Sequence, residues 1–222
     1  MTIADTIPAG STIFWHRRDL RVTDNLGLDL ATDDSAVVPL FCIDENVLEH
    51  AGSHRRQFLA SALTSLEEAY REVGSDLLIR VGDPRTVVPQ AISEVSADRV
   101  VWNRDYSQYA TDRDEAVESA VGSLDAHIDT AADLALHEPG SIRTSKGDHY
   151  SVFSYYYKKW AERSPDPSPD RITGESLAEF ETESVKTVFP GVSENETPPI
   201  EGSRESAEDR LERFLDGPIF KY

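Results

Sequence analysis

Between Thr12 and Asn25 the chain reads TIFWHRRDLRVTDN. Thr12, Ile13, Phe14 and Trp15 are apolar or β-prone and predict a short buried strand. The charges Arg17, Arg18, Asp19, Arg21 and Asp24 follow at once. An open α/β sheet builds its sites this way, because ligands lie outside the carboxyl ends of its strands. A solvated loop is the plainer alternative. The interleaved Trp15 and Leu20 favour charges that pair with one another or hold a polar ligand. Two further apolar runs end alike: AVVPLFCI at 36–43 runs into Asp44-Glu45-Asn46, and RVVW at 99–102 into Asn103-Arg104-Asp105-Tyr106.

The elements that would position these loops follow in order. A short helix near Leu26–Ala31 ends at the Asp33-Asp34-Ser35 turn. A long helix from Ser53 carries Phe58, Leu59, Ala62, Leu63, Leu66 and Tyr70 at three and four spacing, with Gly74 as its stop. DLLIRV at 76–81 is a third strand, and Gly82-Asp83-Pro84 caps a helix over 84–96. After the fourth strand a helix spans about 107–122, and 124–136 hold a fifth strand and an irregular return. Alternating strands and helices specify a Rossmann-like open parallel five-stranded sheet with helices on both faces, followed by an irregular linker and a short helix. No internal repeat and no GxGxxG is visible.

Composition bounds the class. The 222 residues allow one ordinary domain plus extra material, and no apolar run reaches the length of a membrane span. The N-terminus has neither a basic nor an apolar signal region. One cysteine, Cys42, excludes internal disulfides, fits a reducing cytoplasm and reads as core. The six histidines, His50 and His54 among them, show no metal-ligand spacing. The net charge is −19, and only five of the 22 cations are lysine. Acidic, lysine-poor surfaces stay soluble at high salt, so a halophilic cytoplasm is expected. The strand and helix patterns argue against a disordered acidic chain, and so acidic a chain binds DNA poorly by itself.

Past Glu138-Pro139-Gly140 the character changes. Tyr150, Phe153, Tyr157 and Trp160 fall on one helical face, read chiefly as core packing and secondarily as a base-stacking platform. Residues 164–203 are rich in proline and acids with little periodicity, a linker by composition. Residues 204–216 make a short amphipathic helix with Ala207, Leu211, Phe214 and Leu215 on one side.

The stretch Trp15, Arg17, Arg18, Asp19, Leu20, Arg21, Asp24, Asn25 resembles the opening signature of the DNA photolyase/cryptochrome family, W-x-R-R-D-L-R-x-x-D-N. The resemblance continues through VVPLFCIDENVL, RRQFLASALTSL, LLIRVGDPRTVVPQ, VVWNRDYSQYATDRD and EPGSIRTSKGDHYSVFSYYYKKW, and in 206–216. It covers nearly the whole chain but only about the first half of the family's architecture. It implies an α/β antenna domain at 1–163, an interdomain linker at 164–203, and at 204–222 the first helix of a helical domain that this sequence lacks. In that family the helical domain binds FAD, flips pyrimidine dimers out of DNA and repairs them by electron transfer under blue light. Cryptochromes share both domains and signal instead. The resemblance therefore implies the light-harvesting part of a deoxyribodipyrimidine photo-lyase, with no catalytic residue and no metal site of its own. FAD and damaged DNA would be met only through the helical domain, which a partner chain could carry.

What this part implies is an antenna chromophore at the strand ends. Phe58 would wall an apolar slot, Asp44, Asn103 and Asp105 would meet the ring's polar edge, and Arg17 or Arg55 would sit near a negative tail. Trp15, Arg18, Asp19, Arg21, Asp24 and Asn25 are expected to form a structural network that shapes the loop. Folate users of the family carry Asn-Glu where Tyr109-Ala110 stand, so deazaflavin ranks first, flavin mononucleotide second and folate third. A stand-alone nucleotide-binding module would instead show a Gly-rich phosphate loop, and a split protein would expose apolar surface at 150–160 and 206–216.

Overall fold

The computed structural model describes residues 3–33, 35–165, 167–189 and 200–221. Asp34 of the expected turn, Asp166 and 190–199 of the expected linker, and Tyr222 lie outside them. The elements are β1 (Thr12–His16), α1 (Leu26–Ala31), β2 (Val37–Ile43), α2 (Glu45–Glu49), α3 (Ser53–Arg71), β3 (Leu78–Val81), α4 (Pro84–Val95), β4 (Arg99–Asn103), α5 (Gln108–Val121), β5 (His127–Ala131), α6 (Phe153–Glu162), α7 (Val185–Val188) and α8 (Arg204–Leu215). No helix among the described residues is long and apolar enough to cross a membrane.

The five strands form one parallel sheet in the order β3-β2-β1-β4-β5. The three central strands β2, β1 and β4 bury both faces, as successive side chains alternate, while the edge strands β3 and β5 are partly open. Ile13, Trp15, Leu40, Val100 and Trp102 meet α4 and α5 on one face. Phe14, Phe41, Ile43, Ile79 and Val101 meet α1 and α3 on the other. The chain winds one way through β1-β2-β3 and returns through β4-β5. The reversal falls between β1 and β4, where doubly wound sheets open a crevice at their strand ends.

Local chemistry fixes the boundaries. Asp83 accepts the Arg85 N–H at 2.9 Å and starts α4 with Pro84 in its first turn. Gly74, at φ 84°, lets the chain leave α3 in the left-handed region. Strands β1 and β4 run one residue beyond their apolar stretches, to His16 and Asn103. Both side chains are buried and hydrogen-bonded, which lets polar residues continue a buried ladder.

Two expectations change. The aromatic helix α6 buries none of its residues, and Phe153, Tyr155 and Tyr157 are exposed. Core packing is therefore corrected: Phe153–Tyr157 and Tyr157–Trp160 stack on each other at 5.9 and 6.2 Å, and the Trp160 ring meets His137. The segment from 167 to 189 is irregular, as its composition implies, yet it is docked. Leu177 bridges Val37, Ser75 Oγ donates to the Ala178 carbonyl at 2.7 Å, and buried Glu67 accepts the Val185 N–H at 2.9 Å at the start of α7. Leu177, Phe180, Val185 and Phe189 are buried at no regular spacing, so no periodicity announces them.

Phe180→Ala should therefore lower the unfolding free energy by about 3 kcal/mol, the usual cost of emptying a buried Phe site. Denaturant titration at high salt measures it; a loss under about 0.5 kcal/mol, as for a surface change, would mean that this segment is not part of the core.

Candidate functional site

The carboxyl ends of β1 and β4 are tied by a buried amide–carboxylate hub. Asn103, at the end of β4, donates to Asp19 Oδ2 at 2.6 Å and to Asn25 Oδ1 at 2.8 Å. Its own Oδ1 accepts the Gly27 N–H at 2.9 Å. Asn25 caps α1 by accepting the Leu28 N–H at 3.1 Å and donates to the Arg21 carbonyl at 3.1 Å. A Cβ on Gly27 would lie 2.4 Å from Asn103 Oδ1, so glycine is what permits the approach. Asp24 turns through φ 53°, which Asp tolerates, and its Oδ1 accepts from Ser168.

Next to the hub, His16 is fully enclosed. Its Nε2 lies 2.7 Å from Tyr70 Oη and its Nδ1 3.0 Å from the Asp19 carbonyl. Burial pushes the His16 pKa down, outweighing the pull of Asp19, so the ring stays neutral. Burial works to raise the Asp19 carboxyl, but hydrogen bonds from the Arg17 N–H and the Asn103 amide hold it below the usual range.

On the α5 side a second cluster forms. Arg17 Nη1 grips both oxygens of Asp114, at 2.5 and 2.6 Å, and its guanidinium lies 5.2 Å from the Trp15 ring centre. Arg113 also reaches Asp114, at 2.9 Å, and lies 5.0 Å from the Trp15 ring and 5.9 Å from the Tyr109 ring. Tyr109 Oη donates to Asp44 Oδ2 at 3.0 Å, bridging α5 to the end of β2. Burial and then the Asp44 carboxylate push the Tyr109 pKa up, so the phenol keeps its proton.

The six residues expected around a ligand do not share one pocket. Arg17 and Asp44 belong to the α5 cluster, and Asp44 also caps α2 through the Asn46 N–H at 3.0 Å. Arg55 and Phe58 lie exposed on the first turns of α3. Asn103 spends its amide inside the hub. Asp105 accepts the Ser107 N–H at 3.0 Å and meets Arg18 at 3.4 Å; burial would raise its carboxyl, and these donors lower it. Of the loop residues, Arg21 pairs with Asp133 at 2.5 Å and Trp15 stacks edge-on against Trp102 at 5.5 Å. Sequence reasoning missed Arg113, Asp114, His16 and Tyr70 and did not use Tyr109 as a contact. The signal was Tyr109 and Arg113 at i, i+4 just past a strand end, hidden in the stretch YATDRDE that reads as a solvated face.

A cleft of about 240 Å³ opens over β1, β4 and the loop after β5, where Asp133 and Leu134 face Arg17, Arg18, Arg21 and Arg104. Burial pushes the Asp133 carboxyl up against the pull of Arg21. Cys42 is buried and its thiol pushed far up, which suits a core side chain. Among the described residues no group of His, Cys, Asp and Glu is placed to hold a metal.

The neutral His16 predicts a pH dependence. The unfolded ring takes a proton below about 6.5 and the folded one refuses it. This part of the stability is present above that pH and is lost as pH falls, by up to about 1.4 kcal/mol per unit. His16→Gln should flatten the wild-type slope between about pH 6.5 and 5; parallel slopes in denaturant titrations would show that His16 is charged in the fold.

The family model for DNA photolyase matches residues 12–172. The chain is 39% identical to the deoxyribodipyrimidine photo-lyase of Halobacterium salinarum, over 95% of this chain and 47% of that protein. It is 33% identical to the one of a Synechococcus species, over 96% of this chain and 47% of the relative. Among solved structures, a class III photolyase from Agrobacterium tumefaciens superposes with a TM-score of 0.75 at 25% identity, covering 98% of this chain and 47% of that one. An archaeal photolyase from Sulfolobus tokodaii, solved with two FAD molecules and discussed for a novel light-harvesting cofactor, gives 0.74 at 23% identity, covering 90% and 46%. The chain thus spans about half the length of the curated relatives it matches. It belongs to the DNA photolyase family.

Proposed function

We propose that this member of the DNA photolyase family is a light-harvesting unit that holds an antenna chromophore at the carboxyl ends of β1 and β2, beside α5. The observation that carries this reading is the stack of Trp15, Arg17, Arg113 and Tyr109 closed by Asp44. Exposed Tyr109 supplies apolar surface in contact with these charges, and Val47 and Phe58 expose more at the starts of α2 and α3, the mix that a planar heteroaromatic ligand needs. Arg55 is exposed, and its side chain makes no hydrogen bond or ion pair among the described residues. It is the cation we assign to a negative tail, while Arg17 packs over Trp15 and orders it.

The chromophore, when bound, supplies near-ultraviolet or blue absorption and passes the energy on. The residues do the rest: Asp44 and Tyr109 meet the ring's polar edge, Phe58 covers it, and Arg113 biases its electrostatics. Asn103 and Asp105 enter this reading as supports of the edge. We keep deazaflavin first, then flavin mononucleotide, then folate. By the same reading the unit at 1–163 serves a photo-lyase that repairs pyrimidine dimers in DNA with FAD held by a helical domain, reached through 164–203 and begun by 204–222. The acidic surface suits the cytoplasm of a halophile.

The test is an absorption spectrum of the chain purified at high salt from a halophilic host, before and after gel filtration. A co-eluting near-ultraviolet or blue band, reduced at least about tenfold in occupancy by Asp44→Ala or Arg113→Ala, is expected. A folded, colourless chain that also refuses added deazaflavin and flavin mononucleotide would refute the reading.

A further inference from the structure

The arginine cleft over β1 and β4 shares Arg17, Asn103 and Asp105 with the chromophore reading, but Arg18, Arg21 and Arg104 line it as well and have no part in that reading. We propose that this cleft is an anion site for the phosphate group of a small phosphorylated metabolite.

Four of its lining residues are arginines, Arg17, Arg18, Arg21 and Arg104, gathered in a chain of net charge −19. The three lining aspartates are already committed. Asp19 is consumed by the hub, Asp133 by Arg21, and Asp105 by the Ser107 N–H. The arginines divide into floor and rim. Arg17, with only 5% of its side chain exposed, is locked on Asp114 through Nη1, and its Nη2 is buried with no hydrogen-bond partner. Nη2 is enclosed by protein, so Arg17 adds positive charge beneath the cleft, and its spare donor meets an anion there only when the side chain shifts. Arg21 is held by Asp133. Arg18 and Arg104 form the rim, with side chains 67% and 42% exposed. Arg104 pairs with Glu138 at 2.7 Å, both partly exposed, and Arg18 reaches the largely buried Asp105 only at 3.4 Å. A partly solvated pair and a stretched one are worth little and exchange readily for a better acceptor.

Phosphate is that acceptor. Its oxygens match the planar fork of a guanidinium two at a time, and two rim arginines closing over a floor arginine give the charge-assisted contacts that a monoanion such as chloride cannot. The cleft's volume, about 240 Å³, admits a phosphate with a small organic group against Leu134. Its place at the strand-order reversal is where open α/β sheets take ligands.

The experiment is calorimetric titration of the 222-residue chain with inorganic phosphate and, separately, with AMP, at fixed high KCl. Saturable binding is expected, weakened about tenfold by Arg18→Gln and again by adding Arg104→Gln, one charged hydrogen bond each. Both side chains reach solvent and neither belongs to the core, so the variants should keep the wild-type circular dichroism spectrum. Tyr109→Phe, on the chromophore side, should leave phosphate affinity unchanged, which separates this site from the other. Tighter binding of AMP than of phosphate identifies a nucleotide source, and equal binding identifies free phosphate; both support the site. Absence of saturable heat with either probe, or an affinity unchanged in the double arginine variant, would overturn it.

Discussion

The sheet edge depends on one buried contact set, the Asn103 amide held between Asp19, Asn25 and the Gly27 N–H. A strand end must satisfy its last polar groups or expose them. Here one side chain satisfies three elements at once: the loop after β1, the cap of α1 and the last residue of β4. Buried polar networks of this kind stabilise when every member is bonded and cost dearly when one is not. Asn103 uses donors and acceptor together, and Asn25 does the same. The hub thereby fixes where β1 stops and where α1 starts.

Everything at the edge is placed from there. With the loop fixed, Arg17 points to α5 and closes on Asp114, and Trp15 lies beneath two guanidinium groups. Because α5 is clamped by Asp114, Tyr109 reaches across to Asp44 at the end of β2. The same loop sends Arg18 and Arg21 to the other side, over β4 and β5. One polar hub thus divides the edge into an aromatic surface and an arginine cleft, and our two functional proposals follow that division.

The sheet was legible in the sequence because its first four strands carry apolar runs bounded by turns, and α3 and α4 because their buried residues recur at three and four. The 167–189 segment was not, since Leu177, Phe180 and Val185 reach the core from irregular backbone. The α6 stripe shows the reverse: perfect helical spacing of aromatics that stack on one another in solvent. Periodicity reports a shared face, not what covers it. At the edge, Arg17 and Asp44 could be picked out by their position at strand ends. Asp114 could not, because burial of one carboxylate in a run of charges depends on a tertiary partner ninety-seven residues away.

The account's central claim is that Asn25 and Asn103 act as one unit that sets the edge. A double-mutant cycle of Asn25→Ala and Asn103→Ala, read by equilibrium unfolding at high salt, tests it most directly. We predict that each single variant loses about 2 kcal/mol and that the double loses much less than their sum, with a coupling of at least about 1 kcal/mol. Additive losses, or singles within about 0.5 kcal/mol of wild type, would contradict the claim.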